Sequence, residues 1–261
     1  MSIGFHIHAN GIRQHALRFA GPGERMLLIP GITSPAITWA FVAQRLAAAY
    51  DVTVLDVRGR GLSEAGDLDY SLDAMARDAL AAVRALGMDR PVLLGHSMGG
   101  RIALRAARMD PSAFGRLILV DPPVSGPGRR PYPSPWPWYE DSVRLAQRGC
   151  TAAEMRPFFP TWTEAQLALR AEWLATCQLS AVQVAYDGFQ TDDIHADLAG
   201  LTLPIQLLAA GAAPVIEAAD LDEVRALAPH AAIRVIEGAG HMIPWDDLDA
   251  FLAAIMPPGQ G

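Results

Sequence analysis

Val92-Leu93-Leu94-Gly95-His96-Ser97-Met98-Gly99-Gly100 decides the fold. An apolar run of strand type ends in a glycine, one abrupt turn follows, and Met98 opens a helical stretch through Arg101-Ile102-Ala103-Leu104. The turn carries a Gly-x-Ser-x-Gly pattern. Between a strand and a helix, that pattern holds a serine in a strained conformation at the strand tip with its oxygen exposed. Gly95 and Gly99 let strand and helix approach closely, and the helix N-terminus beside Ser97 favours developing negative charge. The flanking strand and helix make the signal far more specific than the five-residue pattern alone.

Working outward, similar apolar runs recur at Met26 to Ile29, Val52 to Leu55, Leu117 to Val120, Ile205 to Ala209 and Ala232 to Ile236. Helical patterns separate them: Trp39 to Ala49, Leu72 to Leu86 capped by Ser71, and Leu221 to Ala228. Strands that are apolar throughout and alternate with helices predict a mostly parallel sheet covered on both faces. Asn10-Gly11 between two half-alternating segments predicts an antiparallel N-terminal hairpin over Phe5 to Phe19. After Val120 the texture changes. A Pro/Gly-rich stretch to Pro137 leads into aromatic-rich helical segments at Glu140 to Arg148, Ala152 to Phe159 and Thr163 to about Tyr186. Residues 125–195 are therefore expected to form an inserted helical lid on an α/β core of 1–124 and 196–261. Asp246 or Asp247 begins the last helix, and Pro257 to Gly261 reads as a frayed tail.

The chain of 261 residues carries a net charge of −7 and has no basic run, which excludes a nucleic-acid partner. No apolar run is long enough to span a membrane, and the start lacks the pattern of a signal peptide. Cys150 and Cys177 are too few for a disulfide framework and read as free thiols. A soluble cytoplasmic protein acting on a small molecule is expected. His6, His8 and His15 have no metal-ligand spacing and read as strand-surface residues; no metal or cofactor is called for. Asp56 and Arg58, at a strand tip, read as a turn brace.

A serine hydroxyl becomes a nucleophile when a base takes its proton, and a carboxylate holds that base in one tautomer. His96 is adjacent to Ser97, but neighbouring side chains diverge in a sharp turn. His241 lies in a glycine-flanked loop after the last strand, on the face where such sheets bind ligands, and is the expected base. After the strand Ile205 to Ala209, alanines stand where an acid is expected. Asp121, at the tip of the strand beside that of Ser97, is taken as the acid, with Glu217 and Asp220 as alternatives. The N–H groups of Met98 and Ile32 are the expected oxyanion hole.

Together these residues resemble the α/β-hydrolase family over the whole chain. Five longer runs, Pro30 to Trp39, Leu55 to Ser63, Val120 to Arg130, Gln166 to Leu174 and Gly240 to Asp249, are similar to a bacterial deformylase branch of it. The resemblance implies a Ser97, Asp121, His241 triad. It also implies release of formate and maleamate in aerobic nicotinic acid breakdown. Such a substrate carries a carboxylate that calls for a cation. Arg129, Arg130 and Arg170 are candidates, each more simply an ordinary surface or lid arginine. The alternatives are a carboxylesterase, an enol-lactonase or a C–C bond hydrolase on the same frame, or a non-catalytic receptor.

Overall fold

The computed structural model describes residues 2–213 and 215–257; tail residues 258–261 lie outside the described residues. Eight strands form one sheet in the order β1-β2-β4-β3-β5-β6-β7-β8. Strands β1 (Ser2–Ala9) and β2 (Ile12–Phe19) form the hairpin. Asn10 and Gly11 both take positive φ, 52° and 75°, as a two-residue turn between twisted strands requires. β2 pairs antiparallel with β4 (Asp51–Leu55). Everything beyond is parallel: β4 with β3 (Arg25–Ile29), then β5 (Val92–His96), β6 (Arg116–Val120), β7 (Ile205–Ala210) and β8 (Ala232–Ile236). All five residues of β5 are buried, which explains the unbroken apolar run of a strand covered on both faces.

Helices α1 (Ala40–Leu46), preceded by a 3-10 turn at Ala36–Trp39, and α2 (Leu72–Ala85) lie on opposite faces of the sheet. Ser71 caps α2 by accepting from the N–H of Ala74. Helix α3 (Met98–Met109) packs beside α2. Between β6 and β7 run α4 (Trp136–Gln147), α5 (Ala152–Met155), α6 (Glu164–Leu174), α7 (Leu179–Thr191) and α8 (Ile194–Leu198). The chain closes with α9 (Ala218–Leu227), α10 (Ile243–Asp246) and α11 (Leu248–Ile255). Val42, Leu46, Phe251 and Ile255 share the core on one face of the sheet, and residues of α2, α3 and α9 share the core on the other.

Two local expectations need correction, and a third holds. The helical pattern from Thr163 to Tyr186 breaks between α6 and α7, because Gln178 docks on the loop after β4. Its N–H donates to the Gly59 carbonyl (2.8 Å), and its side chain bonds Gly66 and Tyr70. His15 is buried rather than on the surface, and its Nδ1 meets Asp56 Oδ2 at 2.7 Å. Asp56 also accepts from the N–H groups of Ala36 and Leu62, so it does brace the turn. Arg58 braces the same loop by donating to the Asp69 carbonyl and forming an ion pair with Asp78 on α2.

The chain passes from β3 outward to β4, then crosses back to β5 on the other side of β3. The strand order reverses at that point, which opens a crevice at the C-terminal ends of β3 and β5. Ile32 follows β3 and Ser97 follows β5, so the crevice lies between them.

Candidate active site

Ser97 occupies the turn from β5 into α3 with φ 55° and ψ −120°. Few non-glycine residues adopt this conformation. Its N–H donates to Val120 O (2.8 Å), and its carbonyl accepts from Gly100 N (2.9 Å), so neighbouring elements hold the strain in place. A side chain at Gly95 would put its Cβ 2.1 Å from the Gly99 carbonyl, and one at Gly99 would lie 2.0 Å from that of Ile29. The spacing of the pattern is thus a packing requirement.

His241 reaches the same point from the loop after β8. Its Nε2 lies 2.9 Å from Ser97 Oγ, and its Nδ1 lies 2.6 Å from Asp121 Oδ2. The fully buried carboxylate accepts from Nδ1–H, which leaves Nε2 as an acceptor facing the serine hydroxyl. Asp121 sits one residue past β6 with φ 46°. Its N–H donates to Leu208 O (2.8 Å), and its second oxygen accepts from Ala210 N (3.1 Å), which fixes the carboxylate between β6 and β7. The alternatives are engaged elsewhere. Asp220 accepts from Arg130 and from the N–H of Glu217, and the two acids cap α9.

The two expected oxyanion donors, the N–H groups of Ile32 and Met98, flank Ser97 in the turns after β3 and β5. Gly31 O accepts from Ser34 N (3.1 Å), and Ser97 O accepts from Gly100 N. In a trans peptide the N–H points opposite the carbonyl. Both bonds therefore turn the N–H groups of Ile32 and Met98 away from these acceptors. Among the described residues, neither N–H donates to another protein group. Arg60, which sequence reasoning missed, holds this loop by donating to Ile32 O (3.0 Å).

His96, set aside as a base, has a different place. Its Nε2–H donates to the main-chain oxygen of His241 (3.0 Å), which pins the loop that carries the imidazole. Burial, with the nearby His241 as a smaller cause, pushes its pKa down to about 3, so the ring is neutral and this bond persists at ordinary pH. Its position next to Ser97 was the only signal in the sequence.

A cavity of about 170 Å³ lies over these groups. Gly31, Ile32, Ser97 and His241 line its floor, and Tyr132, Trp138, Tyr139, Phe159 and Arg170 line its walls. A larger cavity of about 240 Å³ lies behind Met98, against α2 and α7, and does not reach Ser97 or His241. An open groove beside Trp162 and Trp245 touches His241 but not Ser97 and shares Phe159 and Met242 with the cavity. Of the candidate cations, Arg129 pairs with Glu223 and Arg130 with Asp220, and neither lines the cavity with Ser97. Arg170 does. Among the described residues, no group of three or more His, Cys, Asp or Glu side chains is arranged to hold a metal ion. Cys150 and Cys177 are free, and no helix is long and apolar enough to cross a membrane.

A sequence model of the alpha/beta hydrolase family matches residues 26–254. The chain is 56% identical over 252 residues to the N-formylmaleamate deformylase of Pseudomonas putida, covering 96% of this chain and 94% of that protein. The crystal structure of a serine-to-alanine variant of an N-formylmaleamic acid deformylase, also from Pseudomonas putida, is 64% identical. It superposes with a TM-score of 0.95 over 97% of this chain and 100% of that one. The structure of an E-2-(acetamidomethylene)succinate hydrolase shares the fold, with a TM-score of 0.81 at 21% identity over 98% of each chain.

Proposed function

This chain belongs to the alpha/beta hydrolase family, and we propose that within it the chain hydrolyses N-formylmaleamate to maleamate and formate through a formyl ester on Ser97. One observation carries the reading: two short hydrogen bonds run from Asp121 through His241 to Ser97 inside a walled cavity. The extent of identity to a protein named for this reaction supports the choice of substrate.

Ser97 Oγ attacks the formyl carbon as its proton passes to His241 Nε2. Asp121 stabilises the imidazolium that forms. Charge collects on the former carbonyl oxygen, where the N–H groups of Ile32 and Met98 receive it. One such donor contributes roughly 2.7–4 kcal/mol of barrier lowering. The imidazolium then protonates the nitrogen, the C–N bond breaks, and maleamate leaves. That nitrogen is acylated on both sides, so it departs more readily than an ordinary amine. His241 next takes a proton from water, which attacks the formyl ester. The C–O bond breaks, Ser97 regains its proton and formate is released. No step needs a metal or cofactor.

We read residues 125–195 as a lid on a core of 1–124 and 196–261, because this segment supplies the aromatic walls of the cavity. Such a cover keeps bulk water from the acyl transfer. We assign the reaction to aerobic nicotinate breakdown in the cytoplasm, on the resemblance of the longer sequence runs.

The test is steady-state turnover of N-formylmaleamate by purified protein. Equal amounts of formate and maleamate are expected, with kcat falling by about 10⁶ in Ser97→Ala. A variant within tenfold of the parent rate ends the covalent account.

A further inference from the structure

Fully buried charges are normally paired, because an uncompensated charge in a dry site is expensive. Three buried arginines surround the reaction site; among the described residues none forms an ion pair with a carboxylate, but two leave no buried nitrogen without a hydrogen-bond partner. Arg60 donates to the carbonyls of Ile32, Arg58 and Ala181. Arg101 donates to those of Pro123, Ser125, Gly188 and Asp192.

Arg170 differs. It is 4% exposed and comes from α6, and it is the one arginine or lysine among the described residues lining the cavity with Ser97 and His241. Its Nη1 and Nη2 donate to the carbonyl and hydroxyl of Thr33, and its guanidinium lies over the Phe159 ring. Those bonds use two of five N–H groups. Nε is buried and has no partner, and among the described residues no carboxylate forms an ion pair with this side chain. Burial lowers its pKa to about 10, so it remains a cation at neutral pH.

We infer that Arg170 binds the terminal carboxylate of the substrate through its unused N–H groups, so that the site selects short acyl amides ending in an anion. The inference rests on the deformylase reading, which supplies that carboxylate. A guanidinium edge matches a carboxylate in two-point geometry. Thr33 holds the guanidinium in place and is itself one residue from the oxyanion donor Ile32. Recognition of the distant anion thus registers the formyl carbon over Ser97.

The test compares kcat/KM for N-formylmaleamate with that for its neutral methyl ester, in the parent protein and in Arg170→Gln. The parent favours the free acid, and the ratio of the two values falls about 100-fold in the variant. Arg170→Lys, which keeps charge but loses the fork, falls between. If both substrates slow equally and the ratio holds, Arg170 only braces Thr33 and the inference fails. An arm without substitution at Arg170 uses calorimetry on Ser97→Ala. Maleamate is expected to bind at least tenfold more tightly than the neutral maleic diamide, and equal affinities overturn the inference. If the parent protein releases no formate yet this preference holds, the deformylase reading fails and the anion site stands.

Discussion

Ser97 and Asp121 both hold positive φ, 55° and 46°, although neither is glycine. Such conformations cost of order 1–3 kcal/mol each and persist only when surroundings impose them. Here the surroundings are strand-end carbonyls, Val120 for Ser97 and Leu208 for Asp121. The two strained residues sit at adjacent strand tips, since β5 and β6 pair through His96 and Val120. Asp121 therefore holds the His241 ring from beside the strand that leads to Ser97. Replacing it with Asn keeps the volume but removes the charge and disturbs the tautomer, so kcat on N-formylmaleamate is expected to drop about 10⁴-fold. Glu217→Gln, at a helix cap beside Arg130, should stay within a few-fold of the parent. Reversed sensitivities in a steady-state assay would move the acid to the post-β7 segment.

At the scale of the element, the turn from β5 to α3 is a close backbone contact before it is a site. Any side chain at Gly99 runs into the Ile29 carbonyl at 2.0 Å, and backbone cannot yield as a side-chain tip can. Gly99→Ala should destabilise the fold by at least about 2 kcal/mol, a fall in melting temperature of roughly 4–8 °C. An unchanged melting curve would mean that strand and helix do not approach as described. This element was legible from the sequence because its constraints are local: glycine spacing, an apolar strand, a helical period. The break between α6 and α7 was not. Nothing local forbids a helix through Thr176-Cys177-Gln178; the docking of Gln178 on Gly59 and Gly66, over a hundred residues away, imposes it. The burial of His15 had the same kind of cause, since Asp56 is far off in sequence.

Across the whole molecule, buried arginines tie the segment between β6 and β7 to the sheet. Arg60 bridges Ile32 and Ala181, Arg101 bridges Pro123 and Gly188, and Arg170 reaches Thr33. The sequence offered Ser97, Asp121 and His241 because strand tips and glycine loops mark them. It left Arg129, Arg130 and Arg170 equivalent, because only tertiary packing shows which of them enters the cavity. The cavity itself takes Ser97 from the turn after β5, His241 from after β8 and its aromatic walls from the segment between β6 and β7, so it belongs to the assembled chain. The central claim is that acyl transfer passes through Ser97. Its most direct measurement is rapid-quench mass spectrometry of the protein mixed with excess N-formylmaleamate. The account predicts a transient formyl group on the peptide carrying Ser97, formed at least as fast as maleamate appears and absent in Ser97→Ala. Turnover at the full rate with no adduct on that peptide at any quench time, and with Ser97→Ala still active, would contradict it.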